Sequence, residues 1–186
     1  MGDIVAHLAG IPDDILNGRV DGVATAAWTA AQVDARRDML FDEMLTASEA
    51  DALQVEPLVA SFGAVSGQFI ADLATHEHDS RDALEMPGAR DSQLIAIAFD
   101  WLGDRIAEAR RHAGVGRLRV ISGAGESTFG KDEFTATART DRFDLVRAAT
   151  GRRALSQIAE WTWEGDARPE TVVLGSFARR AEPVDG

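Results

Sequence analysis

The sequence has no cysteine among its 186 residues. This absence excludes disulfide scaffolds, zinc sites built from thiolates, and cysteine nucleophiles. Any thiol chemistry must therefore use a sulfur atom that a cofactor supplies. The absence of cysteine is also typical of a cytoplasmic protein.

The sequence also lacks long apolar runs and an excess of positive charge. No apolar segment approaches the roughly 20 residues that a membrane helix needs, and Asp3 stands where a signal peptide would carry basic residues. We therefore expect a cytoplasmic chain. Its 31 acidic and 19 basic side chains give a net charge of −12, so nucleic acid and anionic membrane surfaces would repel it. With 45% hydrophobic residues, the composition is that of a folded globular protein.

The first part of the chain, residues 1–115, is predicted to be a helical domain, because its apolar residues recur at helical spacing. Gly10 and Pro12 are expected to interrupt the first helix, Thr29 to cap the second, and Pro57 to break the third. The predicted helices are Asp3 to Leu8, Asp13 to Asn17, Ala30 to Leu45, Ser48 to Phe62, Ala64 to His76 and Asp91 to His112. The last of them carries an apolar stripe that is typical of a protein core.

The second part, residues 116–186, is predicted to be a small α/β domain, which gives an α + α/β fold class. Leu118 to Ile121 and Glu133 to Ala138 are predicted strands. The segment from Gly125 to Lys131 resembles a phosphate-binding loop, but no helix follows it, so it is interpreted as the turn of a β-hairpin. Helices are expected over Asp141 to Thr150 and Ala154 to Trp161. The segment from Thr171 to Leu174 is compatible with a strand or a helix.

Three of the four histidines follow acidic residues in two similar strings. Asp3 precedes His7 by four residues, and Asp72 precedes His76 by four, so each pair shares one face of a helix. Imidazole nitrogens and a carboxylate are what a zinc-like ion takes when cysteine is absent, and three protein ligands leave a position open. The alternative is structural: Asp3 caps a helix, His7 is partly buried, and the run from His76 to Asp79 is a solvated helix end.

Arg152 follows the end of a predicted helix, where Gly151 suits the C-cap. Its guanidinium is able to hold a carboxylate with two parallel hydrogen bonds. The alternative is that Arg152 complements the negative end of the helix dipole.

Several segments together resemble the mycothiol-dependent maleylpyruvate isomerase family. The resemblance covers nearly the whole chain and rests on the order and spacing of its motifs. These are Val5 to Gly10, Trp28 to Val33, Thr75 to Asp79 with Arg81, and Leu145 to Arg153. It implies a DinB-like helical bundle followed by a small α/β domain, with a divalent metal, usually zinc, that binds the thiol of mycothiol.

The resemblance assigns roles to particular residues. The implied metal ligands are His7, Asp72 and His76, although the family more often has Glu at the place of Asp72, and His78 is a substitute ligand. Arg152 matches a position implicated in binding a small acidic substrate. Family members usually have a further helix before the segment that begins here at Asp3. A bundle without that helix would expose apolar surface, so we expect a homo-oligomer.

Two functions from different classes follow. The first is a metal-dependent, mycothiol-using enzyme of the isomerase or thiol-transfer type. The second is a non-catalytic protein that binds a small ligand or regulates through one while keeping the same fold. An intact set of three metal ligands favours the enzyme, and ligands occupied by internal ion pairs favour the binding protein.

Overall fold

The structure is a computed structural model that describes residues 2–131, 133–175, 177 and 180–183. It divides into two compact units, Met1–Ser66 and Gly67–Gly186. The predicted domain division after residue 115 stays a prediction. Among the described residues, every helix is too short or too polar to cross a membrane.

Among the described residues the first unit contains three α-helices, and several predictions about them are wrong. Helix α1 (Gly2–Leu16) runs without interruption through Gly10 and Pro12. Pro12 removes one backbone hydrogen bond, but α1 buries Ala6, His7, Ala9 and Gly10, and this packing holds the helix together across the proline.

The predicted helix from Ala30 to Leu45 is instead two helices. The predicted cap Thr29 lies inside α2 (Ala26–Ala35), and Thr25 caps this helix instead by accepting a hydrogen bond from the backbone N–H of Trp28. The chain then turns, and α3 (Phe41–Val59) begins where the Glu43 carboxylate accepts the backbone N–H of Leu40. Pro57 lies inside the last turn of α3, and a 3-10 helix (Ala60–Val65) follows.

The second unit begins with two long helices, α4 (Ser66–Ala83) and α5 (Gln93–His112). The Ser92 hydroxyl caps α5 by accepting the backbone N–H of Ile95. The apolar stripe of α5 lies in the core as predicted, since Ile95, Ala98, Leu102 and Ile106 are all buried.

A four-stranded mixed sheet follows, with strands β1 (Arg117–Ser122), β2 (Gly125–Thr128), β3 (Phe134–Arg139) and β4 (Thr162–Gly165). Their spatial order is β2-β1-β3-β4. Strands β1 and β3 are parallel, whereas β2 and β4 pair antiparallel with their neighbours. The prediction that residues 125–131 form only a hairpin turn is therefore wrong, because residues 125–128 form the edge strand β2.

The rest of the second unit contains two short α-helices and a 3-10 helix. Helix α6 (Arg142–Ala149) is capped by Asp141 and ends before Gly151, whose φ of 75° suits a helix C-terminus. Helix α7 (Leu155–Ala159) and a 3-10 helix (Pro169–Thr171) follow on either side of β4. Val172 to Leu174 form neither strand nor α-helix but are buried in the core. The described chain is thus a mixed α and β protein, as predicted.

Candidate functional site

His7 lies on the buried face of α1 in the first unit. Its side chain is 5% exposed, and its Nδ1 lies 2.6 Å from the Oε1 atom of Gln32 on α2. The indole ring of Trp28 meets the imidazole edge to face, with ring centroids 6.1 Å apart. His7 is therefore an oriented, buried imidazole.

Gln32 also bonds Asp14, so the three buried side chains form a chain of hydrogen bonds that begins at His7. The Nε2 atom of Gln32 donates to Asp14 Oδ2 over 2.7 Å, and the other carboxylate oxygen of Asp14 accepts from Arg19 Nε, also over 2.7 Å. Gln32 is 2% exposed and Asp14 is 7% exposed. The prediction from sequence did not assign a role to either residue.

Asp72 and His76 lie on one face of α4 in the second unit, as their spacing predicts. His76 Nε2 lies 3.6 Å from Asp72 Oδ1. The side chain of His76 is 17% exposed, and that of Asp72 is 24% exposed. Both groups are thus accessible enough to meet a small ligand while being held by their helix.

Asp79 stands on the other side of the His76 ring. Its Oδ2 atom lies 3.4 Å from His76 Nδ1, so the imidazole is placed between two carboxylates. A carboxylate behind the distal nitrogen of a histidine is the arrangement that orients metal-binding imidazoles and makes them more basic.

Two arginines from the C-terminal part of the second unit hold Asp79. Arg147 Nη1 donates to Asp79 Oδ1 over 2.6 Å, and its Nη2 donates to Asp82 Oδ2 over 2.8 Å. Arg152 Nη2 donates to Asp79 Oδ2 over 2.8 Å. Burial by itself would raise the pKa of Asp79, but its contacts with His76, Arg152 and Arg147 outweigh this and hold that pKa well below its usual range.

The sequence prediction placed Arg152 at a helix end, and the structure confirms that position. Its Nη1 donates to the backbone carbonyl of Thr150 over 2.7 Å. Its side chain is 21% exposed. Within the second unit the structure therefore brings His76 and Arg152 to one carboxylate, Asp79, and Asp72 lies near the other nitrogen of the His76 ring. The role of Arg152 in substrate binding stays a prediction.

His78, the substitute ligand, has different surroundings. Its ring packs against Phe143 with centroids 4.6 Å apart, and the residue is 2% exposed. Burial is the main cause that lowers its pKa, and it disfavours the protonated imidazole. Because it follows His76 by two positions, it points to another side of α4, and its place is in the core.

The predicted ligands are two imidazoles and one carboxylate, residue types that suit a zinc-like ion, and this ligand set stays a prediction. Asp79 and Arg147 are functional candidates that the sequence prediction missed, although Asp79 follows His76 by three residues and thus shares its helical face. Comparisons with family models, with curated proteins and with solved structures find no match to this chain.

Proposed function

We propose that the chain is a metal-dependent enzyme that uses a small thiol of the mycothiol type, with His7, Asp72 and His76 as the metal ligands. The observation that carries the proposal lies within the second unit, where the His76 imidazole stands between two carboxylates, with Nε2 3.6 Å from Asp72 Oδ1 and Nδ1 3.4 Å from Asp79 Oδ2. Ligand atoms around a tetrahedral zinc ion are about 3.4 Å apart, and small side-chain rotations reach that separation from the 3.6 Å between His76 Nε2 and Asp72 Oδ1.

The surroundings of the histidines support this ligand set. His7 has an amide oxygen at its Nδ1, and His76 has the Asp79 carboxylate at its Nδ1. In both histidines a partner thus lies at Nδ1, and Nε2 is on the opposite side of the ring. Metal-binding imidazoles are usually oriented in this way, by a partner at the nitrogen that does not bind the metal. The finer fold assignment, a DinB-like bundle with a small C-terminal α/β domain, is part of the same proposal.

A zinc-like ion in this site would supply Lewis acidity that lowers the pKa of a bound thiol, which makes the sulfur nucleophilic toward an electrophilic carbon at neutral pH. Asp79 keeps the His76 ring oriented. Arg147, whose side chain is 5% exposed, neutralises the charge of Asp79. Arg152 adds a second positive charge, and its exposed portion is available to the carboxylate of a small acidic substrate.

A non-catalytic ligand-binding role is the second candidate. The observation that favours it is the engagement of Arg152, because its guanidinium already bonds Asp79 and a backbone carbonyl. An arginine held in this way positions Asp79 whether or not it binds a substrate.

The enzyme proposal is tested with chain purified without a histidine tag, loaded with zinc, and supplied with mycothiol and maleylpyruvate. We expect maleylpyruvate to be consumed only when both zinc and thiol are present. Arg152→Lys keeps the charge but loses the planar contact, so turnover should fall while metal content stays the same. A zinc-loaded chain that binds the acid but leaves it unchanged would favour the non-catalytic role.

The thiol is tested separately by loading the chain with Co²⁺. Adding a thiol should produce a sulfur-to-cobalt charge-transfer absorption in the wild type and in His112→Ala, whose histidine is exposed on α5. The absorption should be absent in His7→Ala. A cobalt-loaded chain whose spectrum does not respond to thiol would overturn the role of the thiol.

A further inference from the structure

Gln32 links two polar side chains that α1 buries two turns apart. His7 and Asp14 are seven residues apart on α1, so they lie on the same face of the helix. Gln32 reaches both from α2, with 2.6 Å to His7 Nδ1 and 2.7 Å to Asp14 Oδ2. All three side chains are buried, so their hydrogen bonds are shielded from water.

The chemistry of these groups fixes the direction of each hydrogen bond. A carboxylate only accepts, so the nitrogen of the Gln32 amide faces Asp14 and its oxygen faces His7. The reversed amide would set two acceptors 2.7 Å apart. Because an amide oxygen also only accepts, His7 Nδ1 must carry a proton. In a neutral imidazole, Nε2 then carries the lone pair.

The packing of α1 on α2 leaves room for this side chain. A Cβ atom at Gly10 would lie 2.6 Å from Cγ of Gln32. Gly10 lies between His7 and Asp14 on the same face of α1, so only a glycine lets Gln32 approach both. Arg36 further pins α2 by bonding Asp13 Oδ2 on α1 over 2.5 Å.

We propose that Gln32 is a positioning residue that fixes His7 in its Nδ1–H tautomer and thereby makes Nε2 the metal ligand. Asp14, held by Arg19, fixes Gln32 in turn. The inference rests on the proposed function for its metal, but the tautomer is a property of the metal-free chain. In the absence of this partner, a neutral histidine in water carries its proton on either nitrogen.

The first test is the tautomer of His7 in metal-free protein. Long-range ¹H–¹⁵N correlation spectra distinguish the two tautomers, and the loss of signals in His7→Phe assigns the residue. At a pH where the imidazole is neutral, we expect His7 to be protonated on Nδ1. Protonation on Nε2 in the wild type would overturn the inference, whether or not any variant folds.

The second test is zinc affinity measured by competition with a chromogenic chelator. Gln32→Leu removes the acceptor at similar volume and should weaken zinc binding by about 10- to 100-fold. Gly10→Ala should weaken it too, because the added methyl group displaces Gln32. Gln54→Leu, at an exposed position of α3, is the matched control and should leave the affinity unchanged.

A rescue variant separates positioning from packing. The double substitution Asp14→Asn with Gln32→Glu exchanges donor and acceptor, because the amide introduced at position 14 then donates to the carboxylate introduced at position 32, which still accepts from His7. Zinc affinity should recover to within about threefold of the wild type. Equal zinc binding by wild type and Gln32→Leu would overturn the inference and leave the metal site intact. A wild type with the Nδ1–H tautomer that binds no zinc would instead overturn the proposed function.

Discussion

Replacing Asp79 by asparagine tests the part of the second unit that supports His76. The substitution keeps the shape of the side chain and removes its charge. Arg147 then keeps Asp82, at 2.8 Å, and the Thr75 carbonyl, at 3.3 Å, but its shortest contact, to position 79, loses the negative charge. Arg152 loses its charged partner altogether within the described residues and keeps the Thr150 carbonyl.

The size of the effect follows from burial. Removing one partner of a buried ion pair costs about 3–5 kcal/mol, since the other charge stays buried. Here Arg147 is 5% exposed and Asp79 is 18% exposed, and Asp82 still offers partial compensation. We therefore expect Asp79→Asn to lower the free energy of unfolding by about 2–3 kcal/mol.

Urea denaturation followed by tryptophan fluorescence and by far-UV circular dichroism measures this difference. The matched control is Asp34→Asn, because Asp34 pairs with Arg37 on the surface and both side chains are about two thirds exposed. The control should change the free energy of unfolding by less than about 0.5 kcal/mol. An equally small change for Asp79→Asn would refute the reasoning that Asp79 holds two arginines in place.

Three further predictions concern other parts of the chain. Arg110 is 0% exposed, and its guanidinium donates hydrogen bonds to the backbone carbonyls of Gly116, Asp166 and Ala167. Arg110→Lys keeps the charge but loses the several donors of the guanidinium. Urea denaturation should therefore show a free energy of unfolding that is lower by about 2 kcal/mol. Burial alone would raise the pKa of Asp13, but Arg19 and Arg36 hold it below its ordinary value. Its folded pKa is thus lower than its unfolded pKa, so the destabilisation by Asp13→Asn should be present at pH 7 and shrink as the pH falls below about 4. A destabilisation that stays the same from pH 7 down through this range would contradict the prediction. Helix α3 exposes apolar side chains, and Leu53 is the most exposed of them at 73%. Light scattering at micromolar concentration should therefore show a homo-oligomer, and Leu53→Glu should weaken its association. A monomeric wild type would contradict the expectation of self-association.

Local patterns predicted most of the elements of the second unit. The predicted helices Asp91 to His112 and Asp141 to Thr150 appear as α5 and α6, and the alternation predicted over Glu133 to Ala138 appears as strand β3. These features depend on neighbours within a few residues, which the sequence displays directly. The i to i+4 relation of Asp72 and His76 is of the same kind.

The errors arose where distant residues decide the outcome. Gly10 and Pro12 look like a helix break, but the packing of α1 keeps the helix continuous. Strands β1 and β3 pair in parallel although β2 lies between them in the sequence, and no local pattern shows this pairing. The links from His7 to Gln32 and from Asp79 to Arg147 span 25 and 68 residues, so they follow from tertiary packing and had no signal in the sequence.

The most direct test of the proposed metal site is the metal content of the chain purified without a histidine tag. Elemental analysis after incubation with zinc and removal of the excess should give about one zinc ion per chain in the wild type and in the control His112→Ala. Replacement of His7, Asp72 or His76 by alanine should each remove the ion while far-UV circular dichroism stays unchanged. A folded wild type that retains no zinc, or a folded His7→Ala variant that retains as much as the wild type, would contradict the proposal.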